Sequence, residues 1–171
     1  MNRNFIIIFL IILPIVGYGQ PSKGDLKTTI VQDIQVEEIM EPPPPGLISK
    51  FITVEDWLTN ICENNKPKKA IAKYNFGLFE AKDDFTLFLA GLNTYEVDKN
   101  RSSIRIDFEP KNMYFKLPKS YFKSLTREQL LIKLTSDLKA FTKSTKFKNS
   151  FFIDANIISF DTNGTTLWNR D

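Results

Sequence analysis

Residues 125–168 read LTREQLLIKLTSDLKAFTKSTKFKNSFFIDANIISFDTNGTTLW, and this stretch decides the fold. Thr126 has the side chain of a helix N-cap, and Gln129 stands three residues on, where it completes a capping box. Leu125 and Leu130 are spaced to close over that cap as a hydrophobic staple. Leu130, Leu131, Leu134, Leu138 and Phe141 recur at helical spacing, while Lys139, Lys143 and Lys146 fall on the opposite side. After Ser150 the period changes from about 3.6 to about 2. A strand is predicted there, with Phe151, Ile153, Ala155 and Ile157 facing one way and Phe152, Asp154, Asn156 and Ile158 the other. Asn163-Gly164, flanked by threonines, predicts a hairpin with a type I′ turn, which needs positive φ at both central residues.

Four more strands are predicted upstream, between Pro67 and Pro118, and their registers constrain one another. Ala72, Tyr74, Phe76 and Leu78 form the apolar side of the first. With Ala81 to Asp84 as a loop, Leu78 pairs with Leu87 and Phe76 with Leu89. With Asp98 to Arg101 as the next loop, Tyr95 pairs with Ile104 and Asn93 with Ile106. With Glu109 to Asn112 as the third, Phe108 pairs with Met113 and Ile106 with Phe115. Each choice keeps the apolar residues on one face, and a one-residue slip would break the agreement.

Before the strands, Thr53 caps a helix with Asp56 at its third position, and Ile52 and Trp57 are spaced for a second staple. Val54, Trp57, Leu58, Ile61 and Cys62 mark its apolar stripe, and Asn64, Asn65 and Pro67 stop it. The fold class expected is α+β: an antiparallel sheet, made of a four-strand meander plus a C-terminal hairpin, with two amphipathic helices packed on one face. The order of helix, strands, helix and hairpin resembles the fold of bacterial secretion chaperones, with one strand more and the last helix missing. No motif accompanies that likeness, and it implies no function.

The N-terminus has the pattern of an export signal over residues 1–19: Arg3, an apolar run from Phe5 to Val16, then Gly17 and Gly19 before a cut. The run is shorter than the ~20 apolar residues of a spanning helix, so no stable membrane anchor is expected after cleavage. A periplasmic or secreted location follows. Residues 20–50 read as a flexible tether whose Pro42–Pro45 run favours polyproline II, and a weak alternation at Ile30, Ile34 and Val36 leaves an added edge strand within residues 29–40 as the alternative. Residues 51–171 form the single domain.

The chemistry is bounded by what is missing. The 171 residues contain no histidine and one cysteine, which removes the commonest general base and zinc ligand and any intrachain disulfide. Fifteen phenylalanines must supply the stability instead. Cys62, on the helix stripe, reads as an inert buried thiol. The formal charge is +3, and ten Lys or Arg between Lys111 and Lys148 face only Glu128 and Asp137. Those lysines alternate with core positions, so they read as a solvated face and no nucleic-acid partner is expected. No glycine-rich phosphate loop or nucleophile elbow is present, and no cofactor, metal or catalytic residue is assigned.

What remains is an exported binding or interaction protein, one form of which is an immunity-type inhibitor. Its partner would be another protein or a second copy of itself. A hydrolase using Asp107 and Glu109, and a carrier of a small apolar ligand, are the alternatives from other classes. The candidate partner-binding residues are Phe79, Phe88, Leu92, Arg105, Asp107, Asp154 and Asn156: the registers above place the first five on the sheet face away from the helices, and Asp154 and Asn156 join them, with Phe152 and Ile158, if the late hairpin continues the same sheet. Phe79, Phe88 and Leu92 would form an apolar floor inside a polar rim. Exported protein should begin at Gln20, as intact-mass measurement will show; a retained Met1–Gly19 segment would refute the signal reading.

Overall fold

The computed structural model describes residues 33–36, 40–98 and 101–170. The export signal and the start of the tether lie outside the described residues. Thr53 accepts a hydrogen bond from the Asp56 amide at 3.0 Å and starts helix α1 (Val54–Asn64). Val54, Trp57, Leu58 and Ile61 are its buried stripe. Ile52 is 74% exposed, so no staple closes over this cap. Trp57 turns instead to the sheet, where its ring lies 5.7 Å from Phe115 and 6.1 Å from Phe76. Its indole N–H donates to the Asn112 carbonyl at 2.6 Å, which satisfies the one polar atom it buries.

Strand β2 (Lys73–Glu80) pairs antiparallel with the long strand β3 (Phe85–Asp98), with Phe76 opposite Leu89 and Leu78 opposite Leu87, as the loop at Ala81–Asp84 requires. The next hairpin departs from expectation by one residue. β4 (Arg101–Phe108) sets Tyr95 opposite Ser103, Thr94 opposite Ile104 and Asn93 opposite Arg105. An irregularity between Glu96 and Asp98 takes up the extra residue, and Asp98 pairs with Arg101. A bulge shifts the whole set of faces on the partner strand. The third predicted hairpin does not form. A second irregularity follows Ile106, and after the Glu109–Met113 link β5 (Tyr114–Lys116) pairs with β3, not β4, placing Phe115 opposite Leu87. β4 and β5 are thus successive segments along the same side of β3.

Pro118 precedes a short helix α2 (Lys119–Phe122), and the capped helix follows as α3 (Arg127–Thr142). Its capping box is present: Thr126 accepts from the Gln129 amide at 3.3 Å, and the Gln129 side chain accepts from the Thr126 amide at 2.9 Å. Leu130, Leu134, Leu138 and Phe141 are buried. The chain then breaks at Ser144, which caps a short helix α4 (Thr145–Lys148).

Ser150 caps a 3-10 turn over Phe151–Asp154, where a strand was expected. Neighbouring residues of a strand point to opposite faces. Phe151 and Phe152 instead have their rings 4.6 Å apart, and both pack on Tyr74. That aromatic pair requires the turn. Strand β6 (Ile157–Phe160) begins only after it and runs parallel to β2, with Tyr74 opposite Ile158. The final hairpin joins β6 to β7 (Thr165–Asn169) through a 3-10 turn at Asp161–Asn163 and a left-handed Gly164 at φ 66°. Asn163 keeps a negative φ, so the turn is not type I′.

The result is an α+β domain whose mixed sheet has the order β1-β4-β3-β2-β6-β7, with β5 on β3. The fully antiparallel sheet is corrected in two places. β6 is parallel to β2, and β1 (Asp33–Val36), inside the stretch read as a tether, is parallel to β4 with Val36 opposite Ile104. α1 and α3 both feed one buried cluster that includes Tyr74, Phe76, Leu87, Leu89, Phe115, Ile158 and Phe160. Trp57→Ala should therefore cost about 3–5 kcal/mol and Leu134→Ala about 2–5 kcal/mol in urea melts. A loss below about 1 kcal/mol at either site would contradict this packing.

Candidate functional site

Side-chain alternation along β3 sorts the sheet into two faces. Leu87 and Leu89 point to the helices and are fully buried. Phe88 and Leu92 point the other way and are half-buried, and between them Ala90 is buried. Phe88 sits between Gly77 of β2 on one side and Tyr114 of β5 on the other. Its ring lies directly over Gly77, where a Cβ would stand 2.2 Å from Phe88 Cζ. A glycine inside a strand marks such a close approach. Phe79 packs on Phe88 at 4.9 Å and reaches Tyr114 at 6.3 Å. Leu92 lies between Lys73 and Ile106 in the next row.

Polar side chains border this aromatic centre. Lys73 pairs with Asp161 at 3.3 Å, and Asp161 also accepts from Ser159 at 2.7 Å. Ser159 donates to Asn75 at 3.3 Å, so a polar strip runs beside the rings. Lys116 pairs with Asp84 at 2.9 Å at the far end. The Tyr114 hydroxyl donates to the Glu41 carbonyl at 2.7 Å, and burial with the nearby Glu109 and Glu41 charges pushes its pKa up.

The other candidate residues stand elsewhere. The one-residue shift puts Arg105 with Asn93 on the opposite face, its guanidinium 5.4 Å from the centre of the Tyr95 ring. Asp107 is the extra residue of the second irregularity. Its carboxylate accepts from Asn93 at 2.7 Å, from the Tyr95 hydroxyl, and from Lys69 at 3.1 Å. Asn93 in turn accepts from the Ala72 amide at 2.7 Å and donates to the Ala70 carbonyl at 3.2 Å. Asp107 and Phe108 both turn toward the helix side, so the strand alternation that would align Asp107 with Glu109 is broken. Desolvation acts to raise the Asp107 pKa, but the Asn93 and Lys69 contacts outweigh it and hold the carboxyl below its ordinary range. The Tyr95 hydroxyl donates a hydrogen bond to a carboxylate already paired with Lys69, and with the Asn93 contacts to Ala70 and Ala72 this clamps the 69–72 loop. Asp154 is exposed on the 3-10 turn, and Asn156 is exposed just before β6, its backbone amide donating to the Ala72 carbonyl at 2.8 Å. Phe152 and Ile158, expected on the open face, are in the core.

Two clefts lie on the helix side. One of about 290 Å³ is lined by Thr53, Val54, Glu55, Asp137, Ala140 and Phe141, half of them polar or charged, and one of about 340 Å³ by Cys62, Glu63, Lys146 and Ser150. Neither is an apolar chamber of the kind a ligand carrier needs. Burial raises the Cys62 thiol pKa, with Ser150 and Lys146 opposing, so the thiol is kept protonated. Among the described residues no group of three or more metal-ligating side chains converges, and no helix is long and apolar enough to cross a membrane.

Sequence reading missed Tyr114 and the Lys69–Asn93–Tyr95–Asp107 clamp. Gly77 was the available signal for the first, and a polar Asn93 and Tyr95 in an otherwise apolar register for the second. Comparisons with family models, with curated proteins and with solved structures yield no match, and the likeness to secretion chaperones gains no support from them.

Asp107→Asn should lower stability by about 1–3 kcal/mol at pH 7, because the amide removes the charge that pairs with Lys69 and replaces one of the two acceptor oxygens by a donor facing Lys69, Asn93 and Tyr95. The depressed pKa makes this contribution complete above the unfolded carboxyl value of about 3.9 and lost as pH falls through the folded value. Urea melts at pH 7 and pH 3 should show the gap between wild type and variant narrowing in acid. Equal stabilities at pH 7 would contradict the clamp.

Proposed function

We propose that this chain is an exported protein-binding module that uses the sheet face away from the helices. The observation that carries the reading is the Phe79–Phe88–Tyr114 cluster. Three half-buried aromatic side chains gather on the face opposite the packed core, with the Phe79 ring packed on both Phe88 and Tyr114 and Phe88 standing opposite Tyr114 across β3 and β5. A sheet face that meets only water needs no such cluster, whereas aromatic anchors inside a polar rim are the composition of a recognition patch. The Lys73–Asp161 strip and the Lys116–Asp84 pair supply that rim. The absence of histidine and the engagement of Asp107 weigh against catalysis.

An immunity-type inhibitor remains one concrete form of this role, with Phe79, Phe88, Leu92 and Tyr114 as contact residues. Phe88→Asp should abolish capture of a stoichiometric partner from periplasmic or secreted extract, or self-association seen by sedimentation. Its effect on the urea midpoint should stay small. If the variant binds as wild type does, the face is not the site; if it unfolds, Phe88 belongs to the core.

A further inference from the structure

Tyr114, at the border of this face, holds a piece of the protein's own chain through one hydrogen bond. Glu41, whose carbonyl takes the Tyr114 hydroxyl, immediately precedes Pro42–Pro45. Four consecutive prolines have no N–H groups, so they cannot extend the sheet beside β5, and their carbonyls are the only backbone handles they offer. The run ends in a turn in which the Leu47 amide donates to the Pro44 carbonyl at 3.2 Å. Pro45 and Gly46 are its central residues, and Gly46 at φ 75° supplies the positive angle that a type II turn demands. That turn directs the chain to α1. Along the strap Pro43 and Leu47 are half-buried, while Pro42, Pro44 and Pro45 are exposed.

We propose that the aromatic face recognises an extended proline-rich segment of a protein partner, with Glu41–Leu47 as the resident occupant that such a segment displaces. The inference rests on the reading of this face as a binding surface and adds the chemistry of what binds. A hydroxyl that reads a carbonyl beside flat aromatic rings is the chemistry by which grooves take polyproline II chain, whose backbone is left unpaired and ready to accept. Phe88 opposite Tyr114, with Phe79 diagonal to both, supplies the rings, and Tyr114 supplies the donor. Because the resident segment is tethered, it competes at high local concentration and keeps the face closed to weak ligands.

The test uses a fluorescent peptide of residues 40–48 added in trans to the full chain. With Pro42, Pro43, Pro44 and Pro45 all changed to Ser, the full chain should bind the peptide about tenfold or more tightly than wild type. Adding Tyr114→Phe to that background should weaken binding several-fold. If the serine variant fails to fold, the wild-type chain at millimolar peptide should show shifts of the Phe79 and Phe88 ring resonances. No binding to the folded serine variant, or binding that Tyr114→Phe leaves unchanged, overturns the inference. If Phe88→Asp nonetheless abolishes partner capture, the face is a binding site for something other than proline-rich chain. A wild-type chain that dimerises through exchanged 41–47 segments, seen as a dimer lost in the serine variant, also overturns it, since the occupant is then a second copy.

Discussion

One strand carries the whole domain. β3 pairs with β2 over Phe85–Leu92, with β5 over Thr86–Phe88 and with β4 over Gly91–Asp98. Its alternation from Phe85 to Tyr95 decides which residues face the helices and which do not. Leu87 and Leu89 meet the core that Trp57 closes, and Phe88 and Leu92 are thereby committed to the other side. With no disulfide to hold the sheet, this register is the constraint on which core and open face both depend.

The signals that proved readable were local and punctuated. Thr53 and Thr126 cap the helices, Gln129 completes its box, and the β2–β3 register follows from a turn at Ala81–Asp84. Each is a choice settled within a few residues. The misread parts depend on packing between distant elements. The extra residue near Val97 cannot be told from a regular turn by alternation alone, yet it moves Arg105 to the other face. β5 was assigned to β4 because hairpins are the default, whereas Trp57 draws Phe115 into the core beside Leu87. Phe151 and Phe152 alternate like strand residues, and only the cluster around Tyr74 makes the turn the better solution.

The candidate site was legible in the same proportion. Phe79, Phe88 and Leu92 follow from the β2–β3 register, which forms as the turn at Ala81–Asp84 requires, whereas Arg105 and Asp107 depend on the β3–β4 register, which its irregularities shift. Asp154 and Asn156 were placed on a strand that does not begin until Ile157. Gly77 and Tyr114 complete the aromatic centre, one by having no side chain under the Phe88 ring and the other by coming from a strand whose pairing the sequence did not disclose. The polar clamp at Asp107 lies on the far side, where Lys69, Asn93 and Tyr95 hold the carboxylate.

The orientation of Phe88 is the claim on which this account turns, and a two-dimensional nuclear Overhauser spectrum tests it directly. The Gly77 α-protons, lying under the Phe88 ring, should be strongly shielded and show cross-peaks to that ring, with further cross-peaks from Phe88 to Phe79 and Tyr114. Cross-peaks from Phe88 to Trp57 or Leu134, with Gly77 at ordinary shifts, would place the ring in the core and contradict it.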